Sequence, residues 1–175
     1  MKSLLLYSAL VVFGGSAFAA SPVPRPALQL EIVDSGGKHL LSSYKGKVVV
    51  VQFLLTTCTH CQSFSLMLNK FQAEYGPRGF QALGAAVNEA TPEIAREYAA
   101  SYAQGFPVGP LLRDQVLAFM GISIMDRPGF PQIAVVDRKG QIREQTTSDI
   151  NQHQPLHEEA HIRALIEKLL AEKAH

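Results

Sequence analysis

The sequence predicts an α/β fold: a mixed central β-sheet with helices on both faces. Three observations carry that prediction. Val48 to Leu55 is a nearly unbroken apolar run rich in β-branched residues, which suits a strand covered on both faces. An amphipathic stretch and a second apolar run, Phe80 to Val87, follow it, and such a strand–helix–strand crossover pairs its strands in parallel. Later, Ile133 to Val136 and Gln141 to Gln145 flank the turn Asp137-Arg138-Lys139-Gly140 and read as a hairpin, which adds antiparallel strands.

The elements follow in order. Residues 1–19 read as a signal peptide and not as part of the fold. Lys2 supplies a positive start, Leu4 to Phe13 is an uncharged apolar run, and Ala17-Phe18-Ala19 fits the small-x-small cleavage rule. The competing reading is an uncleaved membrane anchor, but the run is short for a span. Residues 20–27 form a Pro-rich, extended lead-in through Pro22, Pro24 and Pro26. The domain proper is 28–175. Leu28 to Val33 alternates weakly as a strand, Asp34 to Gly37 is a turn, and His39 to Leu41 returns. After the central Val-rich strand, a helix is expected from Cys61 to about Tyr75, with Phe64, Leu68 and Phe71 at three- and four-residue steps and Gly76-Pro77 ending it. Thr91-Pro92-Glu93 carries an N-cap, a proline at the first helical position and an acid in the first turn, which predicts a helix to about Ala103. Phe106 to Val108 is short and extended. Asp114 to Met120 is a short helix closed by Gly121. A last helix is expected from near Pro155, with Ile162, Leu165, Ile166, Leu169 and Leu170 on one face.

Composition narrows the function. The chain has 175 residues, with 16 Lys and Arg against 15 Asp and Glu. Without Lys2 the balance is even, so a nucleic-acid partner is not expected. At 47% apolar and 18% charged residues the chain can bury a core, which argues against intrinsic disorder. Only two Cys are present, which excludes a disulfide-rich scaffold.

Those two are Cys58 and Cys61, in Cys58-Thr59-His60-Cys61, between the best strand and an amphipathic helix. Unpaired N–H groups and the dipole at a helix start favour an anion, so a thiolate there is stabilised. Cys58 is expected to be the exposed nucleophile. Cys61, one turn on, is the buried resolving thiol. His60 between them is placed to stabilise the thiolate and so tune the pair towards oxidation. A purely structural disulfide would close a very short loop and gain little. A zinc site would need more ligands. His153, His157 and His161 repeat every four residues, but on a helical wheel His157 falls on the polar side, and a solvated helix face accounts for the series.

With these residues in place the chain resembles the thioredoxin superfamily, and most of all the exported TlpA-like and ResA-like thiol–disulfide oxidoreductases related to the AhpC/TSA family. Tyr44 to Phe53, the Cys pair and Gly129 to Ile142 match in order, and the resemblance spans roughly Leu28 to Leu170. It implies a thioredoxin-like domain that exchanges a dithiol for a disulfide with protein partners and needs no dissociable cofactor or metal. It implies that Pro131 is the cis-proline facing the Cys pair. The Phe130 backbone beside it would pair with the substrate chain, and Thr57 and Thr59 would complete the groove. A membrane-bound redox partner and the reducing direction follow from the same resemblance, whereas His60 points towards oxidants. The chain also departs from the pattern. Thr57 stands where a Trp is common, and Gln52 stands where thioredoxins bury an acid that accepts the resolving thiol's proton. Water or His60 would have to serve instead. A peroxidase reading would need Pro and Thr where Val51 and Leu55 stand. A non-catalytic metal-binding or chaperone module is the remaining alternative.

Overall fold

The computed structural model describes residues 22–149 and 151–173. The expected signal peptide, 1–19, lies outside the described residues. In order, the strands and helices are β1 (Arg25–Pro26), β2 (Glu31–Asp34), β3 (Gly37–Leu40), β4 (Val48–Leu54), α1 (Thr59–Tyr75), β5 (Phe80–Ala86), α2 (Pro92–Tyr102), β6 (Val108–Pro110), α3 (Arg113–Met120), β7 (Gln132–Val136), β8 (Gln141–Gln145) and α4 (Glu159–Ala171). Six strands form one sheet in the order β1-β8-β7-β4-β5-β6, and β2–β3 is a separate hairpin. β4 pairs with β5 in parallel and with β7 antiparallel, so the sheet is mixed, as expected.

β4 is central because both of its faces can be buried. Alternation sorts its side chains into two layers. Val48, Val50 and Leu54 join α1, α2 and α4 in one core, which contains Phe64, Leu68, Phe71, Tyr98, Ile162 and Ile166. Val49, Val51 and Phe53 join α3 and the hairpin in the other, with Leu30, Ile32, Leu117 and Phe119. Each large apolar side chain so buried contributes roughly 1.5–3 kcal/mol. The second layer needs close backbone approach. A Cβ on Gly109 of β6 would stand 2.1 Å from the Val33 carbonyl oxygen, so only glycine fits where the hairpin crosses β6.

Several segments differ from the sequence reading. The first hairpin strand starts at Glu31, and α1 starts at Thr59, two residues before the expected Cys61. Within the lead-in, Arg25 and Pro26 pair antiparallel with Ile142 and Gln141 and extend the sheet. Arg25 Nη2 donates to the Phe119 carbonyl at 2.6 Å and to Gln145 Oε1 at 2.8 Å, which ties this edge down. At the C-terminal end, the expected helix start at Pro155 is a separate 3₁₀ turn, Pro155–His157, and α4 begins only at Glu159. Buried Leu156 anchors that turn in the core. This break moves His157 off the helical wheel on which it had been placed.

Candidate active site

The site lies at the C-terminal end of β4. Its approach loop is pinned before the cysteines begin. Asn88 Oδ1 accepts from the Thr56 N–H at 3.2 Å, Asn88 Nδ2 donates to Thr56 Oγ1 at 3.0 Å, and Gln62 Nε2 donates to the Thr56 carbonyl at 3.1 Å. Cys58 N–H donates to the Leu55 carbonyl at 3.1 Å. A tight turn therefore delivers Cys58 to the helix start.

Cys58 is the N-cap of α1, and its Sγ accepts the Cys61 N–H at 3.3 Å. A free backbone donor of the helix start thus points at the sulfur, where it supports negative charge. Cys58 is partly exposed and Cys61 is buried. Burial first, and the neighbouring Cys58 thiol second, push the Cys61 thiol well above the ordinary range. The accessibility order is therefore an outer thiol at the helix cap and an inner thiol one turn along. Thr57, Thr59 and His60 are exposed around them.

The opposite wall is the loop before β7. The Phe130–Pro131 peptide bond is cis. Cys58 Sγ lies 3.7 Å from the Phe130 carbonyl oxygen. Gln132 Nε2 donates to the Gly129 carbonyl at 2.8 Å and to the Thr147 carbonyl at 3.2 Å, which holds the loop from behind. A groove of about 490 Å³ runs along this wall, lined by His60, Phe64, Met67, Phe130, Pro131 and His157 among others.

Beneath the inner thiol is a buried polar chain that the sequence reading had not found. Gln52 is fully buried. Its Nε2 donates to the Cys61 carbonyl at 2.9 Å, and its Oε1 accepts from Ser65 Oγ at 2.7 Å. Ser65 in turn lies 2.8 Å from Tyr98 Oη. Burial pushes the Tyr98 phenol up, so it too stays protonated. This chain positions Cys61 but contains no carboxylate. In sequence only Gln52 hinted at it, because a polar residue inside an apolar strand demands a partner.

The histidines do not share one helix: His153 and His157 are exposed but precede α4, and His161 lies in it. His157 Nε2 is 2.9 Å from the Pro131 carbonyl oxygen, and His161 Nε2 is 2.6 Å from Glu144 Oε1. His153 lies 3.4 Å from Glu158. Among the described residues no group of three or more His, Cys, Asp or Glu is arranged to hold a metal. The positions a peroxidase would need are apolar: Val51 is buried in the α3 layer, and Leu55 packs against the same layer.

Comparison with known proteins fits this geometry. Two ResA thiol–disulfide oxidoreductases, from Geobacillus thermodenitrificans (strain NG80-2) and Geobacillus kaustophilus (strain HTA426), are each 28% identical over 124 residues, covering 67% of this chain and 67% of theirs. A thiol:disulfide interchange protein of the thioredoxin family from Chlorobium tepidum superposes with a TM-score of 0.67 at 26% identity, covering 87% of this chain and all of that one. The fold is shared with a thiol:disulfide interchange protein from Bacteroides sp., with a TM-score of 0.67 at 22% identity, covering 88% and 95% of the two chains. The fold is therefore thioredoxin-like. Matched over residues 19–166, the chain belongs to the Redoxin family.

Proposed function

We infer that this thiol–disulfide oxidoreductase works outside the cytoplasm and mainly as a reductant of protein disulfides, with Cys58 as nucleophile and Cys61 as resolving thiol. The observation that carries the reading is the placement of the pair. Cys58 Sγ caps α1 beside the Phe130 carbonyl, with Cys61 buried one turn behind it. In the first step the Cys58 thiolate attacks one sulfur of a partner disulfide. That bond breaks, a mixed disulfide forms, and the departing partner thiolate takes up a proton. The Cys61 thiol then loses its proton and attacks Cys58 Sγ, which releases the second partner thiolate. Two electrons have passed to the partner, and Cys58 and Cys61 end as a disulfide. Water or His60 takes the Cys61 proton, because Gln52 cannot.

The signal-like pattern of residues 1–19 supports export, and the resemblance to exported ResA-like oxidoreductases supports the reducing direction. A membrane-bound redox protein would recharge the pair. His60, beside the thiols, favours the opposite reading of a disulfide donor. Equilibrating the pair with glutathione and dithiothreitol buffers decides between them. A reduction potential near about −270 mV supports the reductant, and one near about −120 mV identifies an oxidant. A Cys58→Ser protein that still reduces insulin fully would overturn the assignment itself.

A further inference from the structure

His157 belongs to no catalytic residue set so far, yet it touches the wall opposite Cys58. Its Nε2 lies 2.9 Å from the Pro131 carbonyl oxygen. A carbonyl only accepts, so Nε2 carries the proton and donates. The ring is also held edge-on against Phe64 of α1, with centroids 6.3 Å apart. Buried Leu156, the preceding residue, fixes the 3₁₀ turn in the core. His157, though exposed, therefore links the C-terminal turn to the cis-proline loop. Together with Phe130 it lines two of the recesses beside that loop, of about 490 and 370 Å³.

Phe130 is what this link supports. Among the described residues neither its N–H nor its carbonyl has a backbone partner, and its carbonyl faces Cys58 Sγ at 3.7 Å. An unpaired backbone edge beside a nucleophile can take an extended partner segment. A bimolecular attack gains most when that segment is held in one orientation. Fixing the next carbonyl along the chain fixes this edge.

We propose that His157 is a positioning residue for disulfide exchange: by holding the Pro131 carbonyl it sets the Phe130 edge on which an extended, disulfide-bearing protein segment docks. The proposal rests on the exchange reading above. It requires a substrate-dependent effect, because a small aromatic disulfide has no backbone to dock.

The test compares the full chain with His157→Ala and His157→Gln, on insulin and on 5,5′-dithiobis(2-nitrobenzoate). Loss of one such hydrogen bond is expected to lower kcat/KM for insulin about fivefold in His157→Ala, mostly through KM. The single-turnover rate with the small disulfide should change less than twofold. His157→Gln, which keeps a side-chain N–H donor, should recover most of the loss. Parent-like insulin turnover in His157→Ala would overturn the proposal. So would equal slowing on both substrates, or no recovery in His157→Gln. A parent protein that reduces neither substrate would instead overturn the exchange reading, and the role of His157 with it.

Discussion

The Gln52 side-chain amide donates to the backbone carbonyl of Cys61 at 2.9 Å, so the buried residue beneath the inner thiol is a clamp and not a base. Gln52→Glu replaces that donor with a carboxyl group. The Cys61 carbonyl then loses its side-chain donor and a carboxyl is buried in its place, which should destabilise the fold by about 1–3 kcal/mol. The same change supplies a proton acceptor. Resolution of the mixed disulfide should become faster as pH rises through the new carboxyl's titration. Stopped-flow measurement across pH reads this directly, and an unchanged rate would show that the missing acid does not limit resolution.

The inner thiol also makes stability depend on redox state. Burial raises the Cys61 thiol in the folded dithiol. A raised folded value contributes stability that is complete below the unfolded thiol's value, about 8.5, and is lost as pH rises above it. The disulfide form has no such thiol. The Tm of the dithiol relative to the disulfide should therefore fall above about pH 8.5. A Tm difference that stays flat from neutral to alkaline pH would contradict the burial argument.

At the acid end the sign reverses. Arg163 Nη1 lies 2.9 and 2.7 Å from the two Glu74 carboxylate oxygens, and Arg143 Nη1 lies 2.7 Å from Glu172 Oε2. These guanidinium groups hold both carboxylates below their ordinary range. The contribution is present above the unfolded carboxylate value, about 4.3, and is lost as pH falls through the lower folded values. Both pairs are at least partly open to solvent, so the effect is modest, although Arg143 also pairs with buried Asp137 at 3.1 Å. Replacing Arg143 and Arg163 with Gln should flatten the fall in Tm below about pH 4.3 and leave Tm nearly unchanged in 1 M salt.

Gly109→Ala tests the second core layer. The new Cβ would stand 2.1 Å from the Val33 carbonyl oxygen and 2.8 Å from its carbon. Backbone must move, because no flexible side chain end is there to yield. A loss of about 1–3 kcal/mol is expected, roughly 3–10 °C in Tm. Gly140→Ala is the contrast: φ is +80°, but nothing lies within 4 Å of its Cβ. A Gly109→Ala protein as stable as the parent would mean that the hairpin does not cross β6 as described.

Much of this was readable locally. The Val48–Leu54 run has the composition of a strand buried on both faces. Thr91 caps α2 through its Oγ1 at 3.3 Å from the Ile94 N–H, with Pro92 next, as the motif implies. Asp137 Oδ1 accepts from the Lys139 and Gln141 N–H groups at 2.9 Å and shapes the β7–β8 turn. In each case the partners lie within a few residues of one another, so propensity and periodicity contain the answer. The Cys pair was legible as a pair beside a helix start, but with the helix expected from Cys61 only the structure puts Cys58 at the N-cap.

What only the tertiary structure decided involves partners far apart in the chain. Gln52, Ser65 and Tyr98 come from β4, α1 and α2, and their meeting depends on how two helices sit against the sheet. Arg25 reaches Phe119 only because the lead-in pairs with β8. His157 meets Pro131 across 26 residues from a 3₁₀ turn that precedes α4, a break the periodicity did not mark. A sequence window records which face a residue shares with its neighbours. It does not record strand register, helix docking angle or the place where a helix yields to a turn. Those are set by packing of the whole core, and they decide which side chain stands behind the reactive sulfur.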